Sequence, residues 1–107
     1  MTKRGDLVTV SLPGDYGKPR PALVIQNDLL NELDSLVLCP VSSDLREADF
    51  RVTAEPSAVN GLRQTSQVMV DKLSTLPRSK VGETFGRLEV EKMRAVDRAM
   101  MLVIGVI

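Results

Sequence analysis

Arg20 and Ser42 are the residues whose types and spacing first suggest chemistry. Arg20 closes the Gly- and Pro-rich segment Leu12-Pro13-Gly14-Asp15-Tyr16-Gly17-Lys18-Pro19-Arg20, which also carries Tyr16 and Lys18. Charged loops are common, so the segment alone indicates only a solvated turn. Hairpin geometry adds weight to Arg20. If Arg20–Gln26 and Leu36–Ser42 pair antiparallel across the loop Asn27–Ser35, symmetric about Asn31, then Gln26 faces Leu36 and Arg20 faces Ser42. Directly opposed residues have Cβ atoms about 4.5–5.5 Å apart, so a guanidinium and a hydroxyl would meet at one end of the sheet. A guanidinium binds phosphate bidentately and stabilises added negative charge, and a hydroxyl can hold a phosphate oxygen. A slip of one residue would part them. Asp71, beside Lys72 in a strand-like run, is the third candidate. It is either a solvent-facing carboxylate paired with a nearby cation, or a general base or orienter of Arg20.

What the chain lacks narrows that chemistry. It has no histidine and one cysteine, Cys39, inside the apolar run Ser35–Val41. A catalytic thiol usually needs an activating base, so Cys39 reads as a small buried hydrophobe. The same composition argues against a zinc site, and no cluster of carboxylates suggests a metal-dependent nuclease. RNA carries its own nucleophile, the 2′-hydroxyl next to each phosphodiester. An enzyme need only supply a base, a proton donor and a cation over the phosphoryl oxygens. Arg, Ser and Asp could fill these roles with neither metal nor cofactor.

The elements that must position these residues follow from pattern. The 107 residues suffice for one domain, 1–107, with 43% hydrophobic residues for its core. Lys plus Arg and Asp plus Glu both number 14, so any nucleic-acid binding needs a local basic patch. Short strand-like runs occupy Asp6–Ser11, Pro21–Gln26, Leu36–Val41, Asp49–Ala54 and Ser66–Leu73. Pro13-Gly14, Gly17–Pro19, Asn27-Asp28, Pro56-Ser57, Asn60-Gly61 and Pro77 mark the breaks. From Arg87 or Leu88 to about Val103 the period becomes helical, with Leu88, Val96, Met100 and Val103 on one side. Met93, Met100 and Met101 are core or dimer contacts in this reading. The fold class is mostly β, a small antiparallel barrel or half-barrel with a C-terminal helix. Met1–Asp6 does not resemble a signal peptide, and no apolar run approaches the roughly 20 residues of a spanning helix. A cytoplasmic protein without membrane contact is expected.

Arg4-Gly5-Asp6-Leu7-Val8, followed by Pro19-Arg20-Pro21-Ala22-Leu23-Val24-Ile25-Gln26-Asn27-Asp28, resembles the opening of the MazF/PemK toxins. Pro40-Val41-Ser42-Ser43, Gly61-Leu62, Ser66 through Thr75, Val81-Gly82 and Gly86-Arg87-Leu88 through Gly105 are similar to later parts of that family. The resemblance implies an SH3-like, CcdB/PemK-like barrel and a homodimer. It also implies metal-independent cleavage of single-stranded RNA at short motifs, leaving 2′,3′-cyclic phosphate and 5′-hydroxyl ends. A MazE/PemI-like antitoxin would neutralise the toxin by laying its C-terminal segment across the RNA groove. By resemblance, the catalytic arginine is Arg20, the hydroxyl residue Ser42 and the acidic residue Asp71. Tyr16, Lys18, Ser43, Gln67 and Lys72 are the expected RNA-contacting set. Ser42 stands where the family usually has Thr, Lys72 where Gln is common, and Ser74 where a basic residue is common.

Other readings are weaker. The tail Ile104-Gly105-Val106-Ile107 resembles the hydrophobic-Gly-hydrophobic end of CcdB-type gyrase poisons but lacks their aromatic residue. A non-catalytic SH3-like module would need an aromatic groove or cage, and Tyr16, Phe50 and Phe85 are the only aromatics. The same scarcity shifts RNA recognition from base stacking toward hydrogen bonds to base edges.

Overall fold

The computed structural model describes residues 2–12, 14 and 16–107. The strands are β1 (Asp6–Ser11), β2 (Pro19–Val24), β3 (Ser35–Ser42), β4 (Arg51–Ala54), β5 (Ser66–Met69), β6 (Ser74–Pro77) and β7 (Val81–Arg87). One helix, α1, spans Val90–Val103, and short 3-10 turns lie at Asp28–Leu30, Val70–Lys72 and Arg78–Lys80. Among the described residues, no helix is long and apolar enough to cross a membrane.

All pairings are antiparallel, and the sheet runs β4-β5-β3-β2-β1-β7, with β6 also on β3. The path is open at β4 and β7, so of the expected barrel or half-barrel the sheet is the open form. β3 is its hub. On one edge it pairs β2, through Ala22↔Pro40, Leu23↔Cys39 and Val24↔Leu38. On the other, its start (Ser35–Leu38) pairs β6 and its end (Val41 and Ser42) pairs β5. Pro40 has no N–H to give a ladder and falls in the gap between these two partners.

Side-chain alternation fills two cores. Leu7, Leu23, Cys39, Val41, Val52, Val68 and Val70 pack with Leu88, Val96 and Ala99 from the helical end of the chain. Val8, Val10, Ala22, Val24, Leu36, Leu38 and Leu76 form the second cluster. β1, β2 and β3 therefore send apolar residues to both faces, which is why they read as nearly continuous apolar runs.

Four elements depart from expectation, among them β6 (Ser74–Pro77), which no expected strand run covers and whose Pro77 read as a break. Ser66–Leu73 is not one strand: β5 ends at Met69 and the backbone tightens into the Val70–Lys72 turn before β6 resumes. The turn drives Val70 fully into the core, so tertiary burial overrides a simple alternation. β7 was hidden by its sequence, because it is largely exposed and carries Gly82 and Gly86. A Cβ at Gly82 would lie 2.5 Å from Thr9 Oγ1, so glycine lets β7 seat against β1. α1 starts at Val90, later than its periodicity suggests, because Leu88 N still donates outward to Gly5 O. It ends in a Schellman closure: Gly105, at φ +79°, donates to Leu102 O, and Val106 N donates to Met101 O.

Candidate active site

The β2–β3 register agrees with the expected hairpin from Val24↔Leu38 to Ala22↔Pro40, and Arg20 and Ser42 lie two residues beyond its last pair on their respective strands. Arg20 lies between Pro19 and Pro21 near the start of β2. A following proline disfavours the helical region, so Arg20 is held extended at the sheet's end. It pairs with Val10 of β1. Ser42 ends β3, opposite Gln67 of β5. Its Oγ accepts from Asp44 N at 3.0 Å, which starts the turn out of the sheet. The hydroxyl hydrogen is left to point elsewhere.

Arg20, Ser42 and Ser43 line one cleft of about 870 Å³. Pro40, Val41, Leu62, Met69 and Phe85 give it apolar surface. Arg63 and Gln64, from the segment before β5, supply further polar lining. Nothing in the sequence pattern singles out these two; they follow the Asn60-Gly61 turn and look like ordinary loop residues.

The other expected residues are placed differently. Asp71 does not line the cleft: its carboxylate accepts from Arg51 Nε at 2.7 Å and Nη2 at 3.1 Å. The Arg51 hydrogen bonds are the main reason its pKa lies below the usual carboxylate range. Of the readings open for Asp71, a carboxylate paired with a nearby cation is the one its contacts match, the cation being Arg51; a carboxylate so held is a weak base. Lys72 is exposed on the same 3-10 turn. The Gln67 side chain is buried and committed. Its Oε1 accepts from Arg46 N at 2.8 Å, and its Nε2 donates to Arg46 O at 2.8 Å and Thr53 Oγ1 at 3.1 Å. It braces the segment leaving Ser43 and leaves no amide group for a base edge. Tyr16 is fully exposed at φ +53°, and Lys18 is exposed on the segment leading to Arg20. The Cys39 thiol is pushed up to about 12, chiefly by burial and then by the nearby Asp71 charge, so it is neutral and inert at ordinary pH.

Residues 3–104 match the family described as PemK-like, MazF-like toxin of type II toxin-antitoxin system. The chain belongs to this family. It is 38% identical over 106 residues to a Mycolicibacterium smegmatis protein named "Probable endoribonuclease MazF", covering 97% of each chain. Among solved structures, the Mycobacterium tuberculosis toxin MazF-mt6 superposes with a TM-score of 0.82 at 25% identity, covering 94% of this chain and 96% of that one. The MazF of a Deinococcus radiodurans MazE–MazF crystal structure gives 0.80 at 26% identity, with coverage of 97% and 95%. In this PemK/MazF chain the match takes in every strand, α1 and the whole cleft.

Proposed function

We propose that this chain is the toxin of a type II toxin–antitoxin pair, a sequence-specific endoribonuclease that cuts single-stranded RNA without a metal. The observation that supports the reading is that Arg20 of β2 and Ser42 of β3 line one cleft. The substrate's 2′-hydroxyl loses its proton and attacks phosphorus, the P–O5′ bond breaks, and the departing 5′ oxygen takes up a proton. Products are a 2′,3′-cyclic phosphate and a 5′-hydroxyl. Arg20 stabilises the charge that builds on the phosphoryl oxygens, and Ser42 donates a hydrogen bond to one of them. Ser43, Tyr16, Lys18 and Lys72 supply further contacts to RNA. Gln67 acts one step back by holding the segment after Ser43. Asp71 acts through Arg51, fixing the turn that carries Lys72.

The enzyme works in the cytoplasm as a homodimer and is neutralised by a MazE/PemI-like antitoxin that competes for the RNA groove. The relatives' names support this reading: one is called an endoribonuclease and another was crystallised with MazE. The test is to incubate the purified chain with a long RNA in EDTA and map the ends. Cyclic phosphate and 5′-hydroxyl ends at recurring short motifs are expected. A strict Mg²⁺ requirement or 5′-phosphate ends would overturn the mechanism. Intact RNA together with trapped gyrase–DNA complexes would point instead to a gyrase poison.

A further inference from the structure

The cleft wall that carries Arg63 is built with more support than a surface loop needs. Just before it, Asn60 is fully buried although polar. Its Oδ1 accepts from Ser57 N at 3.0 Å and Leu62 N at 2.9 Å. Its Nδ2 donates to Glu55 O at 2.8 Å and to Glu89 Oε1 at 3.1 Å. The Ser57 hydroxyl donates to Glu89 Oε2 at 2.6 Å, the main cause of that carboxylate's lowered pKa. Backbone contact completes the clasp. Arg87 N donates to Val59 O at 3.0 Å, and Cβ atoms at Gly61 and Gly86 would lie 2.5 Å from Phe85 O and 2.1 Å from Asn60 O. The segment thus lies flat on β7, and Arg63 leaves it at a set position on the cleft.

Most arginines of the sheet are already engaged within the fold. Arg4, Arg46, Arg51 and Arg87 are committed to ion pairs with Asp97, Asp44, Asp71 and Asp6, and Arg78 donates to Leu33 O. Arg63 is exposed and its side chain makes no hydrogen bond or ion pair among the described residues; Arg94 and Arg98 of α1 share that state, but of the three only Arg63 lines the cleft. A guanidinium on a braced segment, with no carboxylate to satisfy it, suits a polyanion that arrives from solution. We propose that Arg63 binds a phosphate of the RNA other than the scissile one, and that Glu89 and Asn60 are positioning residues that hold its segment. The inference rests on the reading of this cleft as the RNA site.

The test measures binding of an oligoribonucleotide that spans a mapped cut site and carries a 2′-methoxy group there to block cleavage. Affinity is followed against salt for wild type, Arg63→Ala, Arg63→Lys and Glu89→Gln. Loss of one single-strand phosphate contact should lower the slope of log K against log salt by about 0.7 and weaken binding about fivefold at 0.1 M salt. With cleavable RNA, the loss should sit in KM and not in kcat. Arg63→Lys should restore the slope. Glu89→Gln should weaken binding in the wild-type background and have no further effect on Arg63→Ala. An unchanged slope and affinity in Arg63→Ala would overturn the assignment, as would a lost kcat with the slope intact. Additive effects of Glu89→Gln and Arg63→Ala would overturn the positioning role alone. Wild type that neither binds nor cuts RNA would overturn the underlying reading, a result distinct from wild type that cuts while Arg63→Ala behaves identically.

Discussion

Replacing Asp71 separates a catalytic carboxylate from a structural one. Its carboxylate takes both bonds of the Arg51 fork, at 2.7 and 3.1 Å, tying β4 to the Val70–Lys72 turn. The Arg51 side chain is 12% exposed and that of Asp71 28% exposed. An exposed ion pair contributes about 0.2–1 kcal/mol, and breaking a buried one by removing a partner costs about 3–5 kcal/mol. This pair lies between, so Asp71→Asn should cost about 2 kcal/mol, chiefly because Arg51 is left partly buried and half-satisfied. Unfolding entropy near 2.1 cal/mol/K per residue gives about 220 cal/mol/K for 107 residues, hence a fall in Tm of about 9 °C. The pH dependence has a definite sign. Arg51 lowers the folded pKa, so the stabilisation is fully present above the unfolded value of about 3.9 and is lost as pH falls through the folded value. Calorimetric melts of wild type and Asp71→Asn should therefore differ at pH 7 and converge in acid below about pH 4. Single-turnover cleavage per folded molecule should fall less than about tenfold, against the 10²–10⁴ typical of a lost general base. An unchanged Tm with a cleavage rate down a hundredfold or more, and with the acid limb of the pH–rate profile gone, would refute the reasoning and make Asp71 the general base.

Arg20→Ala should lower single-turnover cleavage on the order of 10²–10³-fold, as for loss of a comparable oxyanion donor, while RNA affinity falls far less. Ser42→Ala should cost less, because a neutral hydrogen bond is weaker than a charge-assisted one; near wild-type cleavage by Arg20→Ala would overturn the site. Gly61→Ala should destabilise more than Gly14→Ala in thermal melts: both sit at positive φ, but a Cβ at Gly61 meets Phe85 O at 2.5 Å and one at Gly14 meets nothing within 4 Å. Equal melting temperatures would count against the packing of the 57–62 segment on β7. Cys39 should resist iodoacetamide at pH 8 in the native protein and react on unfolding, since burial raises its pKa to about 12; native labelling at the unfolded rate would contradict that burial.

Much of the β2–β3 arrangement was legible in the sequence. Apolar runs on either side of the Asn27–Ser35 loop suggested a hairpin, and the register obtained by assuming a loop symmetric about Asn31 is the one found from Ala22↔Pro40 to Val24↔Leu38. The C-terminal helix was equally legible, because Val96, Met100 and their neighbours recur at helical spacing. What spacing could not reveal was the break in Ser66–Leu73, where burial of Val70 wins over alternation, or the exposed, glycine-bearing β7, which shows no apolar period. Side-chain commitments were likewise hidden. Arg51 is 20 positions from Asp71 and Arg46 is 21 from Gln67, and only the folded sheet brings each pair together. The sequence by itself determined the apolar strand runs, the helical period at the C-terminal end and the residue types at the cleft's mouth, because these follow from local pattern; the β2–β3 register was one assumption among several that the folded sheet selected. The tertiary structure alone decided which polar side chains remain available to a ligand. That depends on long-range partners: Asp71 and Gln67 are consumed within the fold, while Arg63 is left on the cleft.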